Sequence, residues 1–197
     1  MSRPPSPPLV LASTSPQRRA ILEQLLIPFD VVVPTYVEDD ASGASAVERV
    51  RAHAQGKARS VAGVVDDRPV LGVDTAVVLD GRMYGKPADA AEAEEMLEAL
   101  SGRTHLVVSG LCLLAPGWEE LAHDSTSVTF RPLTPRDLAN YVALGEWRER
   151  AGAYAIQGAG AALVRRIEGD YLNVVGLPGA LLVRLLAERF AGTYWFG

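Results

Sequence analysis

The run LVLASTSPQRRAILEQLL, residues 9–26, holds a strand, a turn and a helix in immediate succession. Leu9, Val10, Leu11 and Ala12 form a short apolar run bounded by hydroxyl residues, the pattern of a buried strand. Ser13-Thr14-Ser15-Pro16 then reads as a helix start. Ser15 can cap, and Pro16 suits the first helical position because its missing N–H would have been unpaired anyway. Ile21, Leu22, Leu25 and Leu26 follow at helical spacing and give that helix a core face. A second strand runs from Phe29 to Val33 and stops at Pro34. A strand feeding straight into a helix and back to a strand is the unit of an α/β fold.

The rest of the chain continues the alternation. Residues 36–44 carry Glu38, Asp39 and Asp40 among small residues and read as a loop. Residues 45–64 are helical, with Val47, Val50, Ala54, Ala58 and Val61 on one stripe. Residues 69–73 and 75–79 are strand, and Asp80-Gly81 is a hairpin-turn signal. Asp89 caps a helix over residues 90–100 that stops at Gly102. Two long β segments, 104–114 and 120–131, flank Pro116-Gly117. Thr134-Pro135 opens a helix that runs to Leu144, residues 145–160 are glycine-rich, 161–167 form a strand and 178–190 the last helix. The expected fold is α/β: a single domain, residues 9–191, with a mixed, elongated central sheet flanked by helices and a cleft between two lobes. Residues 1–8 are expected to be a flexible proline-rich lead-in.

Composition narrows the function. The 197 residues are 48% hydrophobic and 22% charged, a globular balance. No apolar run approaches the ~20 residues of a membrane span, and residues 1–8 lack the apolar core of a secretory signal. A net charge of −5 argues against bulk attraction to nucleic acid or anionic lipid. An anionic small molecule would need locally gathered cations or a metal ion. The single cysteine, Cys112, lies among leucines, reads as core and fits a cytoplasmic protein.

Four places stand out chemically. In Ser13-Thr-Ser-Pro-Gln-Arg-Arg19, hydroxyls and free N–H groups at a strand-to-helix turn suit an anion, and Arg18 or Arg19 adds a phosphate fork. Plain capping with solvated arginines explains the same residues. Asp74, in an otherwise apolar strand, is costly to bury without a cation or a catalytic task. Read as standing at a strand end, it suits a metal ligand or general base, or else a turn residue. Lys86, in Gly85-Lys86-Pro87, would project toward the same cleft, and Lys57 joins it as a candidate; both could equally be exposed. In residues 151–158 small residues allow close approach of a ligand, and Gln157 offers a donor and an acceptor to a base edge. A featureless glycine-rich loop is the other reading.

These segments together resemble the Maf family of nucleoside triphosphate pyrophosphatases. The anchors are LASTSPQRRAIL (residues 11–22), Glu38, Lys57, GVDTAVVLDG (72–81), GKP (85–87), ALSGRTH (99–105), the GE and ERAGAYAIQG elements of residues 145–158, and NVVGLP (173–178). The resemblance implies a fold akin to inosine-triphosphatase-like proteins. It also implies cytoplasmic hydrolysis of a nucleoside triphosphate to the monophosphate and pyrophosphate with a divalent cation, Mg²⁺ or Mn²⁺. Asp74 would be the proton acceptor, with Ser13, Arg18, Glu38, Lys57 and Lys86 at the phosphate and metal end. Glu38 and Asp74 are the expected metal ligands. Gln17, Thr75 and Gln157 fall where the family selects its base. Thr75 and Gln157 match the branch that takes dTTP and UTP, whereas Gln17 carries neither that branch's arginine nor the tryptophan of the 7-methyl-GTP branch. A homodimer is implied by the same analogy.

Two rival classes remain at this level. One is a nucleotide-binding regulator of cell division or septum formation with little turnover. The other is single-stranded RNA binding, against which the acidic balance and the lack of interleaved basic and aromatic residues argue.

Overall fold

Among the described residues, seven strands pair into one mixed sheet in the order β2-β1-β3-β5-β6-β7, with β4 pairing β3. The computed structural model describes residues 8–38 and 45–196. The expected lead-in over residues 1–7 and the loop positions of Asp39 and Asp40 lie outside those residues. The strands are β1 (Leu9–Ala12), β2 (Phe29–Val32), β3 (Val70–Leu79), β4 (Arg82–Tyr84), β5 (Thr104–Ala115), β6 (Trp118–Phe130) and β7 (Val164–Glu168). The helices are α1 (Pro16–Gln24), α2 (Ala46–Ala62), α3 (Ala90–Leu100), α4 (Pro135–Leu144), α5 (Tyr171–Val175) and α6 (Gly179–Arg189). β1 is parallel to β2 and β3, and every other pair is antiparallel.

β3 and β5 carry the architecture because they are long enough to serve two hydrophobic cores. Side chains alternate across a strand. On one face of β3, Leu71 and Val73 join Leu9, Leu11, Ile21, Leu22, Leu111 and the α6 leucines in the first core. Further along the same face, Val77 and Leu79 join Val107, Phe130, the α3 residues and Tyr154 in the second. Between the two cores that face carries Thr75 and its register partner Ser109. The expected pair of lobes is this pair of cores on shared strands.

The opposite face belongs to α2. Val50, Ala54, Ala58 and Val61 are buried, as their spacing predicts. The helix backbone lies directly on the sheet because β3 and β5 present glycine there. A Cβ on Gly72 would collide with Ala54 O and Ala58 N, and one on Gly110 with Val50 O and Arg51 N.

Several expectations are corrected. α1 stops at Gln24, and Leu26 turns to φ 53° and is 73% exposed rather than on the core face. Its N–H bonds Glu23 O and that of Ile27 bonds Leu22 O. The left-handed Leu26 closes α1, and Pro28 disfavours helix at the next residue, Ile27. Val33 lies beyond β2 and is exposed. Residues 159–163 form a 3₁₀ turn, so the last strand starts at Val164. After α6, Tyr194 and Phe196 pack on the first core and Trp195 Nε1 donates to Leu25 O at 2.7 Å. Among the described residues, no helix is long and apolar enough to cross a membrane.

Candidate active site

The site occupies a gap in one edge of β3. β1 pairs with residues 70–72 of that edge and β4 with residues 77–79, leaving residues 73–76 paired to β5 alone. Asp74 and Thr75 point to opposite faces, yet the gap lets both line one cleft of about 820 Å³. That volume lies within the range of small-molecule sites. Asp74 is therefore in the middle of a ten-residue strand, and the expected strand end is corrected. What the sequence suggested as an end is a break in the neighbouring strands.

On the α2 side, Lys57 Nζ lies 2.6 Å from Asp74 Oδ1 and 2.6 Å from Glu38 Oε1. Lys57 and Asp74 are nearly buried, with side chains 11% and 15% exposed, and Glu38 is half-exposed. Burial pushes the Glu38 carboxyl up. The hydrogen bond and charge of Lys57, helped by His53 and Lys86, outweigh that and hold it below the usual carboxylate range. The burial cost that singled out Asp74 is met by an ammonium shared between two acids.

On the other face, Arg18 ties three distant segments together. Nε donates to Gly176 O at 2.9 Å, Nη1 to Ser13 Oγ at 3.3 Å and Nη2 to Thr75 Oγ1 at 3.3 Å. Thr75 Oγ1 also lies 2.9 Å from Ser109 Oγ and donates to Gly176 O at 3.3 Å. Burial lowers the Arg18 guanidinium from its ordinary value while Asp74 and Glu38 raise it, and an arginine remains cationic. The two readings of residues 13–19 both have a part. Ser15 caps α1 by accepting from Arg18 N–H, and Arg18 is a tethered cation rather than a solvated one. Arg19 is exposed and does not line the cleft.

Gln17 and Gln157 line the same cleft, and Ser15 Oγ donates to Gln17 Oε1 at 3.1 Å. Lys86 lines it as well, but is 62% exposed and paired with Glu149 at 2.6 Å. Ser13, Gln17, Arg18, Glu38, Lys57, Asp74, Thr75, Lys86 and Gln157 thus all border one space.

Sequence reasoning passed over Arg49 and His53, which also line it. With Lys57 they recur every four residues, the spacing of one helix face, and that was the available signal. It also passed over Glu149, Ser109 and the Gly176 carbonyl, whose roles depend on partners far away in the chain.

A cleft at a sheet's broken edge, lined by Arg18, Arg49 and Lys57 beside the acids Glu38 and Asp74, defines an α/β protein with a charged cleft of small-molecule size. The chain belongs to the Maf family: residues 8–189 match the family described as Maf-like protein. A dTTP/UTP pyrophosphatase of Nitratidesulfovibrio vulgaris is 49% identical, covering 93% of this chain and 89% of that one. One of Moorella thermoacetica is 50% identical over 91% and 93%. One of Deinococcus radiodurans is 44% identical over 98% and 97%. Among solved structures, the Ham1 protein of Staphylococcus aureus is similar at TM-score 0.43 and 16% identity, over 63% of this chain and 72% of that one.

Proposed function

We propose that this protein hydrolyses nucleoside triphosphates, dTTP and UTP foremost, to the monophosphate and pyrophosphate. The observation that carries this reading is the Lys57 ammonium clamped between Glu38 and Asp74 in a cleft of nucleotide size. The names of the relatives supply the substrate class.

Asp74 is the general base in this reading. It orients a water, takes its proton and lets its oxygen bond the α-phosphorus, while the bond from that phosphorus to the β-bridging oxygen breaks. Water is the nucleophile. Lys57, Lys86 and Arg18 meet the charge of the departing pyrophosphate. Three of Arg18's five N–H groups are held by the protein, so it offers the remainder from a fixed position. We assign Gln17, Thr75 and Gln157 to base selection, and Ser13, which shares the Arg18 guanidinium with Thr75, to the phosphates.

The residues fit a divalent cation. Glu38 Oε1 and Asp74 Oδ1 both contact the Lys57 ammonium, so Mg²⁺ or Mn²⁺ would be held beside Lys57 by the hard oxygens of these two carboxylates, sharing its remaining positions with phosphate and water. A cation held there would neutralise phosphate charge and polarise a phosphate oxygen. We take residues 9–191 as the domain responsible and the cytoplasm as its compartment, the latter on the lone buried Cys112.

The test is a panel of triphosphates with Mg²⁺ or Mn²⁺, assayed separately for pyrophosphate and orthophosphate. Pyrophosphate release, greatest with dTTP and UTP, is expected. Release of orthophosphate alone, or tight binding without turnover, overturns the reading, and the second outcome returns the regulatory one.

A further inference from the structure

Gln157 lies in a segment that makes no strand, so its position depends on whatever fastens the chain around it. Glu146, in the turn after α4, does this with both carboxylate oxygens. Oε1 accepts from Ala159 N–H at 3.0 Å and Oε2 from Gly160 N–H at 3.3 Å. The Tyr141 hydroxyl donates to Oε2 at 3.3 Å and accepts from Ala155 N–H at 3.0 Å. Burial pushes the Tyr141 hydroxyl up to about 12, which keeps it a donor. The main chain is thereby tied on both sides of Gln157.

The glycines agree with this. A Cβ on Gly158 would strike the Glu146 carboxylate, and one on Gly160 would strike Ala155 O and approach the Tyr141 hydroxyl to 2.9 Å. The segment closes too tightly around this pair for a side chain at either place. Glu146 is not needed to end α4, which Gly145 already caps in the left-handed conformation with its N–H on Val142 O.

We propose that Glu146, with Tyr141 as its relay, is a positioning residue for base selection: it fixes the main chain on both sides of Gln157 and so sets which nucleobase the cleft accepts. The proposal rests on the pyrophosphatase reading and adds a residue to it.

The test compares Glu146→Ala, Glu146→Gln, Tyr141→Phe and Gln157→Ala in kcat/KM for dTTP, UTP, dCTP, dGTP and ATP. Amide hydrogen exchange of residues 155–160 is measured alongside. Glu146→Ala should shrink the pyrimidine preference about tenfold or more, the scale of a lost specific contact, and speed exchange at Ala155, Ala159 and Gly160. Glu146→Gln keeps one acceptor oxygen and should retain part of the preference, and Tyr141→Phe should loosen Ala155 first. Adding Glu146→Ala to Gln157→Ala should change the preference no further. An equal fall for every triphosphate, an unchanged preference, or a wild type indifferent to the base overturns the proposal. A wild type that turns over none of the panel overturns the pyrophosphatase reading instead. In that case faster exchange in Glu146→Ala upholds the tether and unchanged exchange overturns it.

Discussion

Lys57 keeps Glu38 and Asp74 from facing each other unscreened, and the consequences can be measured one residue at a time. Asp74→Asn leaves Lys57 its partner Glu38, so the fold should hold while kcat drops by ~10²-fold or more through loss of the base. Turnover near wild type in a folded Asp74→Asn protein would remove that role. Glu38 gives a pH prediction. Because its folded value is depressed, its contribution to stability is present above the ordinary carboxylate value and is lost as pH falls through the lower folded one. Glu38→Gln should therefore lower the denaturant midpoint at neutral pH, modestly since the group is half-exposed, and converge with wild type once the pH falls below the depressed folded value. At this scale much of the site was legible. A carboxylate in an apolar strand is anomalous by itself, and Lys57, Lys86, Arg18 and Gln157 can each be singled out by residue type and local sequence. The pairing of Lys86 with Glu149 was not legible, because 63 residues separate the base from the acid in sequence.

At the scale of elements, the meeting of α2 with β3 and β5 determines whether Lys57 reaches Asp74. Gly72 is the thinnest point of that contact. Gly72→Ala should force the helix off the sheet, at a cost of about 1–3 kcal/mol for overpacking, and weaken turnover along with the Lys57–Asp74 pair. Thermal melting and kcat measured together check it; a stable, fully active variant would show that the helix can be displaced freely. The elements that sequence reasoning identified are the ones with strong local chemistry. Ser15-Pro16, Asp89 and Thr134-Pro135 start helices as their caps dictate. α5 was missed because its five residues are too few to show a period. Residues 161–163 were expected as strand because a short apolar run does not distinguish the two states. The break beside residues 73–76 is a property of registers between strands far apart in the chain, and no local pattern encodes it.

For the whole molecule, the proposed function asks an acidic chain to bind a polyanion, which would depend on its gathered cations and on a divalent cation. With Mg²⁺, a non-hydrolysable dTTP analogue at ~100 times Kd should add ~2.7 kcal/mol of stability to the unaltered protein, a rise of about 5–10 °C in Tm. A chelator should abolish most of that rise. No rise with any triphosphate and metal would mean that the cleft does not hold a nucleotide. The melt should be one transition, because β3 and β5 contribute to both hydrophobic cores and neither can unfold alone.

The same continuity governs how a substrate is captured. β3 and β5 run unbroken beneath both cores, so among the described residues these two strands offer no hinge between them. On the proposed function, adjustment to a nucleotide would fall to the rim, where parting of the exposed Lys86–Glu149 pair would release a cation. A substrate complex laid over the free protein should therefore show the sheet unmoved and the adjustment confined to the segments bordering the opening.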